Sequence, residues 1–285
     1  FIESALRASP EIRSSLLSSL PGSVSNEMLI SLARINYLAY LQVSHYLKYR
    51  PALHTKYIAK ICEKIESGEL KRAMFFLPPR HGKSMTITES FPSWFIGKNP
   101  DRRVIEVSYG ESLARRFGRA NRRKTEEFGA SLFDIEIARE NASVTNWSID
   151  GHDGGMISTG IGGPLSGEGA DCLIIDDPIK NRQEADSPTY RNMLWDEYRN
   201  TLLTRLQPNA SIILILTRWH EDDLAGRILE NEGDQWTVVK FPAAAESDDL
   251  LGRAPGEMLW PEFGFDRQWA EKKKITVGSQ VWNAL

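Results

Sequence analysis

Apolar positions along this chain follow two periods, one typical of buried strands and one typical of helices. Short apolar runs that end in turns predict strands at residues 73–77, 103–108, 172–176, 211–217 and 235–241. Apolar residues at helical spacing predict helices between them, at about 84–96, 111–128 and 188–203. Because strands and helices alternate, the pattern predicts an α/β fold with a mostly parallel central sheet flanked by helices.

Two flanking segments differ from this central pattern. Residues 1–50 carry leucines at helical spacing, within 14–20 and again from Leu29 to Leu41, and predict a small N-terminal helical subdomain or lid. The core is predicted over residues 51–245, and its glycine-rich stretch at 143–170 predicts antiparallel hairpins. Residues 246–285 contain prolines and a weak helix near 266–275, and we expect a loose linker there.

Composition narrows the class of protein only slightly. Of 285 residues, 41% are hydrophobic and 26% are charged, which is ordinary for a globular protein. No apolar run approaches the roughly 20 residues that a membrane-spanning helix needs, so no membrane association is expected. Cys62 and Cys172 form no C-x-x-C pair, which favours a reducing compartment. The net charge of −3 argues against a uniformly basic nucleic-acid surface but allows a local basic stripe.

The stretch from Ala73 to Ser84 predicts a phosphate-binding loop between a strand and a helix. Backbone N–H groups and the positive end of a helix would converge where Gly82 begins the helix. Lys83 can then reach the β- and γ-phosphates, and the Ser84 hydroxyl can ligate Mg²⁺. Leu77 replaces the usual leading glycine, so the motif is degenerate. The candidate nucleotide contacts are Pro79, Arg80, His81, Gly82, Lys83, Ser84, Met85 and His54.

His54 enters this set because a polar residue in the first turn of the preceding helix could hydrogen-bond a purine edge. The alternative interpretation is an exposed histidine at a helix start, without a binding role.

Two further predicted strands end in polar residues suited to the same chemistry. The apolar run from Cys172 ends in Asp176 and Asp177, and the run from Ser211 ends in Thr217. Ligands bind beyond the carboxyl ends of strands in open α/β sheets. Asp176 suits Mg²⁺, directly or through water, and Asp177 could polarise an attacking water molecule. The polar end at Thr217 is well placed to sense a γ-phosphate.

The helix predicted at 111–128 carries the highest local density of positive charge. Positions 115, 119 and 122 share one face by their spacing of four and three residues. The face is either solvated, with nearby glutamates as counter-charges, or it supplies an arginine to a neighbouring subunit's nucleotide or binds a polyanion. The candidate arginines acting in trans are Arg115, Arg116, Arg119, Arg122 and Arg123.

Together the three strand ends describe a nucleoside triphosphatase that acts by positioning and electrostatics. No Asn-Lys dipeptide occurs in the chain, so the guanine-specifying Asn-Lys-x-Asp motif is absent and ATP is the expected nucleotide.

Five motifs in order carry a resemblance to a known family. They are Leu77-Pro-Pro-Arg-His-Gly-Lys-Ser84, Tyr109-Gly-Glu-Ser-Leu-Ala-Arg-Arg-Phe117, Gly160-Ile-Gly-Gly-Pro164, Ile174-Ile-Asp-Asp-Pro-Ile-Lys180 and Leu216-Thr-Arg-Trp-His220. Over roughly residues 50–240 the chain resembles the large terminase subunit of tailed double-stranded DNA bacteriophages. The resemblance implies an additional-strand P-loop core, similar to helicase and RecA-like cores, that hydrolyses ATP with Mg²⁺.

The resemblance also implies a setting and roles for particular residues. A ring of subunits would drive double-stranded DNA into a procapsid, with a viral portal protein and a small terminase subunit as partners. It would act in the cytoplasm of the infected bacterial host and be no part of the mature virion. Arg80 matches an arginine that contacts phosphates in cis, and Thr217 falls in the motif that couples hydrolysis to motion. Asp177 stands where the family usually has glutamate, so Glu168 is an alternative residue for holding the water.

Large terminases also carry a C-terminal nuclease with a carboxylate cluster, and no such domain is recognisable in this chain. We therefore expect no nuclease activity. Three other functions remain open: a helicase-like DNA-stimulated ATPase that does not package DNA, a nucleotide-binding switch or phosphotransferase, and a structural α/β domain with a vestigial loop.

Overall fold

The computed structural model describes residues 26–165 and 167–282. Within these ranges the chain forms an eight-stranded sheet in the order β3-β4-β5-β2-β6-β7-β1-β8. Strands β5, β2, β6, β7, β1 and β8 run parallel to one another, while β3 and β4 form the antiparallel hairpins predicted from the glycine-rich stretch. The strands are β1 Arg72–Phe76, β2 Arg103–Ser108, β3 Ile137–Ala142, β4 Asn146–Ile149, β5 Gly155–Gly160, β6 Ala170–Asp176, β7 Leu206–Leu216 and β8 Thr237–Lys240.

Helices cover both faces of this sheet. They are α1 Asn26–Ala33, α2 Tyr37–Ser44, α3 Leu53–Glu66, α4 Lys83–Thr86, α5 Phe91–Lys98, α6 Glu111–Phe133, α7 Arg182–Asp186, α8 Pro188–Glu197, α9 Leu224–Glu232 and α10 Arg267–Trp282. A π-helical turn at Tyr198–Leu202 and a 3₁₀ turn at Leu203–Arg205 join α8 to β7. No described helix combines the length and apolar character that crossing a bilayer requires. The predicted helical stretch at 14–20 lies outside the described residues.

The core consists of two clusters separated by the sheet, and strand alternation assigns residues to them. Along β1, Ala73 and Phe75 belong to one cluster, whereas Met74 and Phe76 belong to the other. The first cluster also contains buried residues of α1, α2, α3 and α5, and the second contains residues of α8 and α9. Because β1, β6 and β7 are buried on both faces, they appear in the sequence as continuous apolar runs.

Two predicted helices are interrupted. The apolar pattern from Leu29 to Leu41 forms two helices, because Asn36 caps α2 by accepting a hydrogen bond from the Ala39 N–H. The helix predicted at 84–96 ends after Thr86 and restarts at α5. Pro92 lies in the first turn of α5, where its missing N–H costs nothing, whereas inside a continuous helix its ring would clash with the preceding turn.

The segment after β8 packs against the core, contrary to the expected loose linker. Arg253 and Asp249 form a buried ion pair at 2.6 Å, and Arg253 also donates to the Pro242 carbonyl at 3.1 Å. Further along, Met258 and Ala270 join a small apolar cluster with Ala243. Leu259 belongs to the first core cluster and Leu251 packs against it, so the segment is attached to the sheet domain.

Candidate functional site

The carboxyl ends of three neighbouring strands form the candidate site. In the sheet, β7 lies between β1, which leads into the predicted phosphate loop, and β6, which ends at Asp176. This order is the additional-strand topology implied by the resemblance. Parallel register aligns Phe76 with Leu216 and Asp176 with Ile215. The polar residues that follow the three strands therefore meet at one edge.

The loop between β1 and α4 exposes a row of backbone donors. Arg80 and Gly82 both have left-handed backbone conformations, with φ of 66° and 81°. Among the described residues, none of the N–H groups from Arg80 to Met85 donates a hydrogen bond to the protein. Unpaired N–H groups in such a turn, followed directly by a helix N-terminus, form an anion-binding concavity. The backbone of this loop therefore has the form of the predicted cradle.

Lys83 joins the three strand ends through its ammonium group. Its Nζ lies 2.8 Å from Asp177 Oδ1 and 3.1 Å from Thr217 Oγ1, and the residue is only 5% exposed. Asp177 Oδ1 also accepts the Thr217 N–H at 3.2 Å. Asp177 itself has a φ of 45°, a left-handed conformation that is unfavourable for a residue other than glycine. Three residues predicted from separate motifs thus touch one another.

Asp176 occupies a different environment from its neighbour. It is fully buried, Thr88 Oγ1 donates to its Oδ2 at 2.6 Å, and its Oδ1 has no partner among the described residues. Burial and the charge of Asp177 raise the pKa of Asp176 to about 7, against the opposing effects of Lys83 and of the hydrogen bond from Thr88. An unpaired carboxylate oxygen beside the Ser84 hydroxyl is a donor set that fits Mg²⁺.

The alternative acid, Glu168, lies at the other edge of the sheet. Its carboxylate pairs with Arg103 at 2.6 Å, and Arg103 begins β2, whose opposite end aligns with Asp176. Glu168 is therefore excluded from the site in this conformation, and Asp177 is the acid beside Lys83.

The two histidines near the loop are buried. His54, which the alternative interpretation expected to be exposed, is 0% exposed, as is His81. His54 Nε2 lies 2.9 Å from the His81 carbonyl oxygen, and His81 Nδ1 lies 3.0 Å from the Pro79 carbonyl oxygen. Burial lowers the pKa of His54 to about 4 and also lowers that of His81. Both imidazoles are thus neutral donors to loop carbonyls.

Aromatic residues of the C-terminal segment cover these histidines. The ring centroids of His81 and Phe265 are 4.3 Å apart, and those of His54 and Trp260 are 5.1 Å apart. Trp269 packs edge-on against His81. The sequence contains several aromatic residues in this segment but no pattern that pairs them with the phosphate loop.

A cavity of about 430 Å³ lies next to the loop. It reaches α4 at Met85, the residue after Ser84, and is bounded by the N-terminal helices and the C-terminal segment. Its lining combines aromatic and basic side chains, including Tyr49, Trp260, Phe263, Lys48 and Arg50.

The five candidate arginines of α6 differ in their contacts. Arg123 pairs with Glu127 and donates to Tyr46, and the partly buried Arg122 pairs with Glu126. The exposed residues Arg115 and Arg116 pair with Glu111 and Glu89. Arg119 is exposed and has no ion-pair or hydrogen-bond partner in the described part of the chain. The helix begins after the carboxyl end of β2, and Arg123 also lines the cavity that contains Met85.

Sequence reasoning missed two buried residues near the strand ends of the site, Thr88 and Glu106. Thr88, which orients Asp176, is four positions after Ser84, a spacing that could have indicated its role. Glu106 is fully buried in β2 and accepts a hydrogen bond from Ser108, the register partner of Asp176. Burial raises the pKa of Glu106 well above its usual value.

The segment after Thr217 leads into α9 through a capped turn. The acids at 221–223 precede α9, and Asp223 caps the helix by accepting the Gly226 N–H at 2.8 Å. His220 Nδ1 accepts the Asp222 N–H at 2.9 Å.

Comparison with solved structures gives distant similarities. The large terminase of bacteriophage HK97 has 10% identity and a TM-score of 0.47 over 70% of this chain and 41% of that one. The large terminase of a thermophilic bacteriophage, solved in complex with ADP, has 10% identity and a TM-score of 0.44 over 76% of this chain and 50% of that one. This chain therefore spans half or less of the length of those proteins.

No curated protein matches the chain. The family described as "Terminase large subunit, T4likevirus-type, N-terminal" matches residues 74–285, which is most of the chain and includes every strand end of the site. The chain belongs to this terminase large subunit family.

Proposed function

We propose that this chain is the ATPase motor domain of a viral DNA-packaging terminase. The observation that carries the proposal is the contact of Lys83 with both Asp177 and Thr217, next to a row of backbone donors that are unpaired within the described residues. A lysine, an acid and a hydroxyl from adjacent strand ends are the parts that phosphoryl transfer by positioning requires.

The loop donors and the start of α4 would bind the triphosphate. Lys83 is neutralised by Asp177 in the described state, and an incoming polyphosphate would compete for its ammonium group. Transfer of Lys83 to the phosphates releases Asp177, whose free oxygen then accepts a hydrogen bond from the attacking water. Arg80 is exposed in the loop, where its guanidinium can contact the phosphates in cis.

Thr217 would respond to this exchange. Its hydroxyl accepts a hydrogen bond from Lys83, and its N–H donates to Asp177. Both partners change when Lys83 moves, so Thr217 is the residue through which phosphate occupancy reaches β7.

Ser84 and Asp176 would hold Mg²⁺, which when bound neutralises charge on the β- and γ-phosphate oxygens. Thr88 contributes by occupying Asp176 Oδ2 and leaving Oδ1 free.

The proposed nucleotide is ATP. The cavity beside Met85 is large enough for a nucleoside whose phosphates lie at residues 80–85, and its lining includes the aromatic residues Tyr49 and Trp260. We further propose that the motor moves double-stranded DNA as a ring on the viral portal protein, with a small terminase subunit as partner.

ATP hydrolysis by the purified chain, with and without double-stranded DNA, tests the proposal. Lys83→Ala should abolish phosphate release, whereas Lys60→Ala, which removes an exposed lysine of α3, should leave it unchanged. Retained hydrolysis in Lys83→Ala would overturn the proposal. Strand displacement by the wild-type chain would instead indicate a helicase-like ATPase, and hydrolysis insensitive to DNA and portal would indicate a nucleotide switch.

A further inference from the structure

His54 contacts the phosphate loop on the side opposite to the proposed nucleotide. It lies in the first turn of α3, 27 positions before His81, and its Nε2 is 2.9 Å from the His81 carbonyl oxygen. A carbonyl oxygen can only accept, so Nε2 carries the hydrogen and donates it. This bond is the only one that the His54 side chain makes within the described residues, since its Nδ1 has no partner there.

The bond determines how one peptide of the loop is oriented. In a planar trans peptide the C=O and the following N–H point in opposite directions. Because the His81 carbonyl points toward His54, the Gly82 N–H points away from it, toward the inner side of the loop. That N–H belongs to the row from Arg80 to Met85 that has no hydrogen-bond acceptor among the described residues.

The imidazole of His54 is itself held in place. Trp260 and Phe241 contact it edge-on, at ring-centroid distances of 5.1 Å and 6.4 Å. The side chain is 0% exposed. A buried donor with a fixed ring plane can impose an orientation on the loop, which an exposed and mobile side chain cannot do.

We propose that His54 is a positioning residue of the phosphate loop, which aims the Gly82 N–H at the polyphosphate chain of the ligand and does not contact its base. The proposal rests on the proposed nucleotide-binding function. It replaces the sequence-based hypothesis that His54 hydrogen-bonds a purine edge, because the imidazole is 0% exposed and its donor nitrogen is already bound to the loop.

Ligands with and without a base separate the two roles. We would measure KM for ATP and the inhibition constant of inorganic tripolyphosphate, which has phosphates but no nucleoside. In His54→Phe, which keeps a flat ring but has no donor, both constants should rise by the same factor, about tenfold for the loss of one buried hydrogen bond. Tyr40→Phe is the matched control, because it removes a buried hydrogen bond between α2 and Ser93 of α5 that does not involve the loop, and it should change neither constant.

Two further variants at position 54 distinguish the loss of the hydrogen bond from misfolding. Gln at position 54 can place an amide N–H near the position of Nε2, whereas Asn is too short to do so. His54→Gln should therefore stay within about twofold of wild type, and His54→Asn should show the tenfold rise in both constants.

Three outcomes contradict the proposal. A rise in the ATP constant alone would assign His54 to the base, and unchanged constants in His54→Phe and His54→Asn would remove it from binding altogether. Equal losses in Gln and Asn variants would indicate a general packing role. Absence of ATP hydrolysis in the wild-type chain would instead overturn the proposed function itself.

Discussion

The two edges of the parallel sheet differ in how far their polar and charged groups are paired. At the amino-terminal edge, Arg103 pairs with Glu168 and its N–H donates to Asp171, and His152 pairs with Asp101. At the carboxyl-terminal edge, Asp176 has an unpaired buried oxygen and the loop donors are unpaired within the described residues.

Left-handed backbone conformations occur at both edges, since Asn209, near the start of β7, has a φ of 68°. Arg80 and Asp177, both at the carboxyl-terminal edge, adopt left-handed conformations that cost on the order of 1 kcal/mol or more each. Unpaired groups and strain reduce stability, and natural proteins keep them where a ligand will use them. The contrast in unpaired groups between the edges therefore supports the proposed site independently of sequence motifs.

The largest expected effect concerns Arg119 of α6, which has no partner among the described residues. If Arg119 reaches the nucleotide of a neighbouring subunit, Arg119→Ala should lower ATP turnover by about 10³-fold or more. Arg122→Ala, which removes an arginine already paired with Glu126, should leave turnover nearly unchanged. The measurement is specific activity against protein concentration.

Mixing Arg119→Ala with Lys83→Ala subunits supplies the control. Each variant retains the group that the other lacks, so some turnover should return in the mixture. Flat specific activity in wild type together with no recovery on mixing would contradict action in trans.

The next effect compares one acid from each edge. Asp177→Asn should lower ATP turnover by about 10²-fold or more while nucleotide binding persists, because the side chain no longer offers a carboxylate that accepts from the water. Glu168→Gln should leave turnover unchanged, since its carboxylate is bound to Arg103 at the other edge. Single-turnover hydrolysis and nucleotide binding are measured for both, and the opposite pattern of losses would reassign the acid.

Stability should respond in opposite directions to two buried aspartates. Asp249→Asn should lower the free energy of unfolding by about 3 kcal/mol, because it leaves Arg253 buried without its partner. Asp176→Asn at pH 8 should raise it by about 2 kcal/mol, because the raised pKa shows that the buried charge is unfavourable.

The sign for Asp176 follows from linkage. Its folded pKa of about 7 exceeds the unfolded value of 3.8, so its penalty grows as the pH rises between these two values. The gain from Asp176→Asn should therefore vanish below about pH 4. Denaturant unfolding at both pH values measures it, and an equal gain at both would show that charge is not the cause.

The smallest expected effect is the contribution of His54 to the loss of folding stability at acidic pH. Its folded pKa of about 4 lies below the usual 6.5, so the unfolded state binds more protons and stability falls as the pH drops through this range. At pH 5 the loss is on the order of 2 kcal/mol relative to pH 8. His54→Gln should flatten the dependence of Tm on pH between 7 and 5, and an unchanged slope would contradict burial of a neutral imidazole.

Sequence reasoning was most successful where a single period or motif carried the information. The strand ends at Asp176 and Thr217 followed from buried apolar runs, and the loop at Gly82 followed from residue types that phosphate binding needs. Sequence reasoning could not predict contacts between segments that are distant in the chain. The packing of Phe265 and Trp269 on His81 joins segments far apart in the chain, and no local pattern encodes it.

Local conflicts also limited the prediction. The apolar pattern continued through the break before α5, and only Pro92 indicated that one helix could not continue through this point. His54 looked exposed because helix starts usually are, and its burial depends on Trp260 from the C-terminal segment.

The insertion of β7 between β1 and β6 has a dimensional consequence. Neighbouring strands lie about 4.8 Å apart, so the backbones that lead to Lys83 and Asp176 are separated by roughly 9.6 Å. The Lys83 side chain crosses this separation, and its Nζ contacts Asp177 Oδ1 at 2.8 Å. Strand β7 is therefore a spacer that the lysine bridges in the described state, and movement of the ammonium group to a bound phosphate would open a space of that width, with Thr217 at the end of the intervening strand.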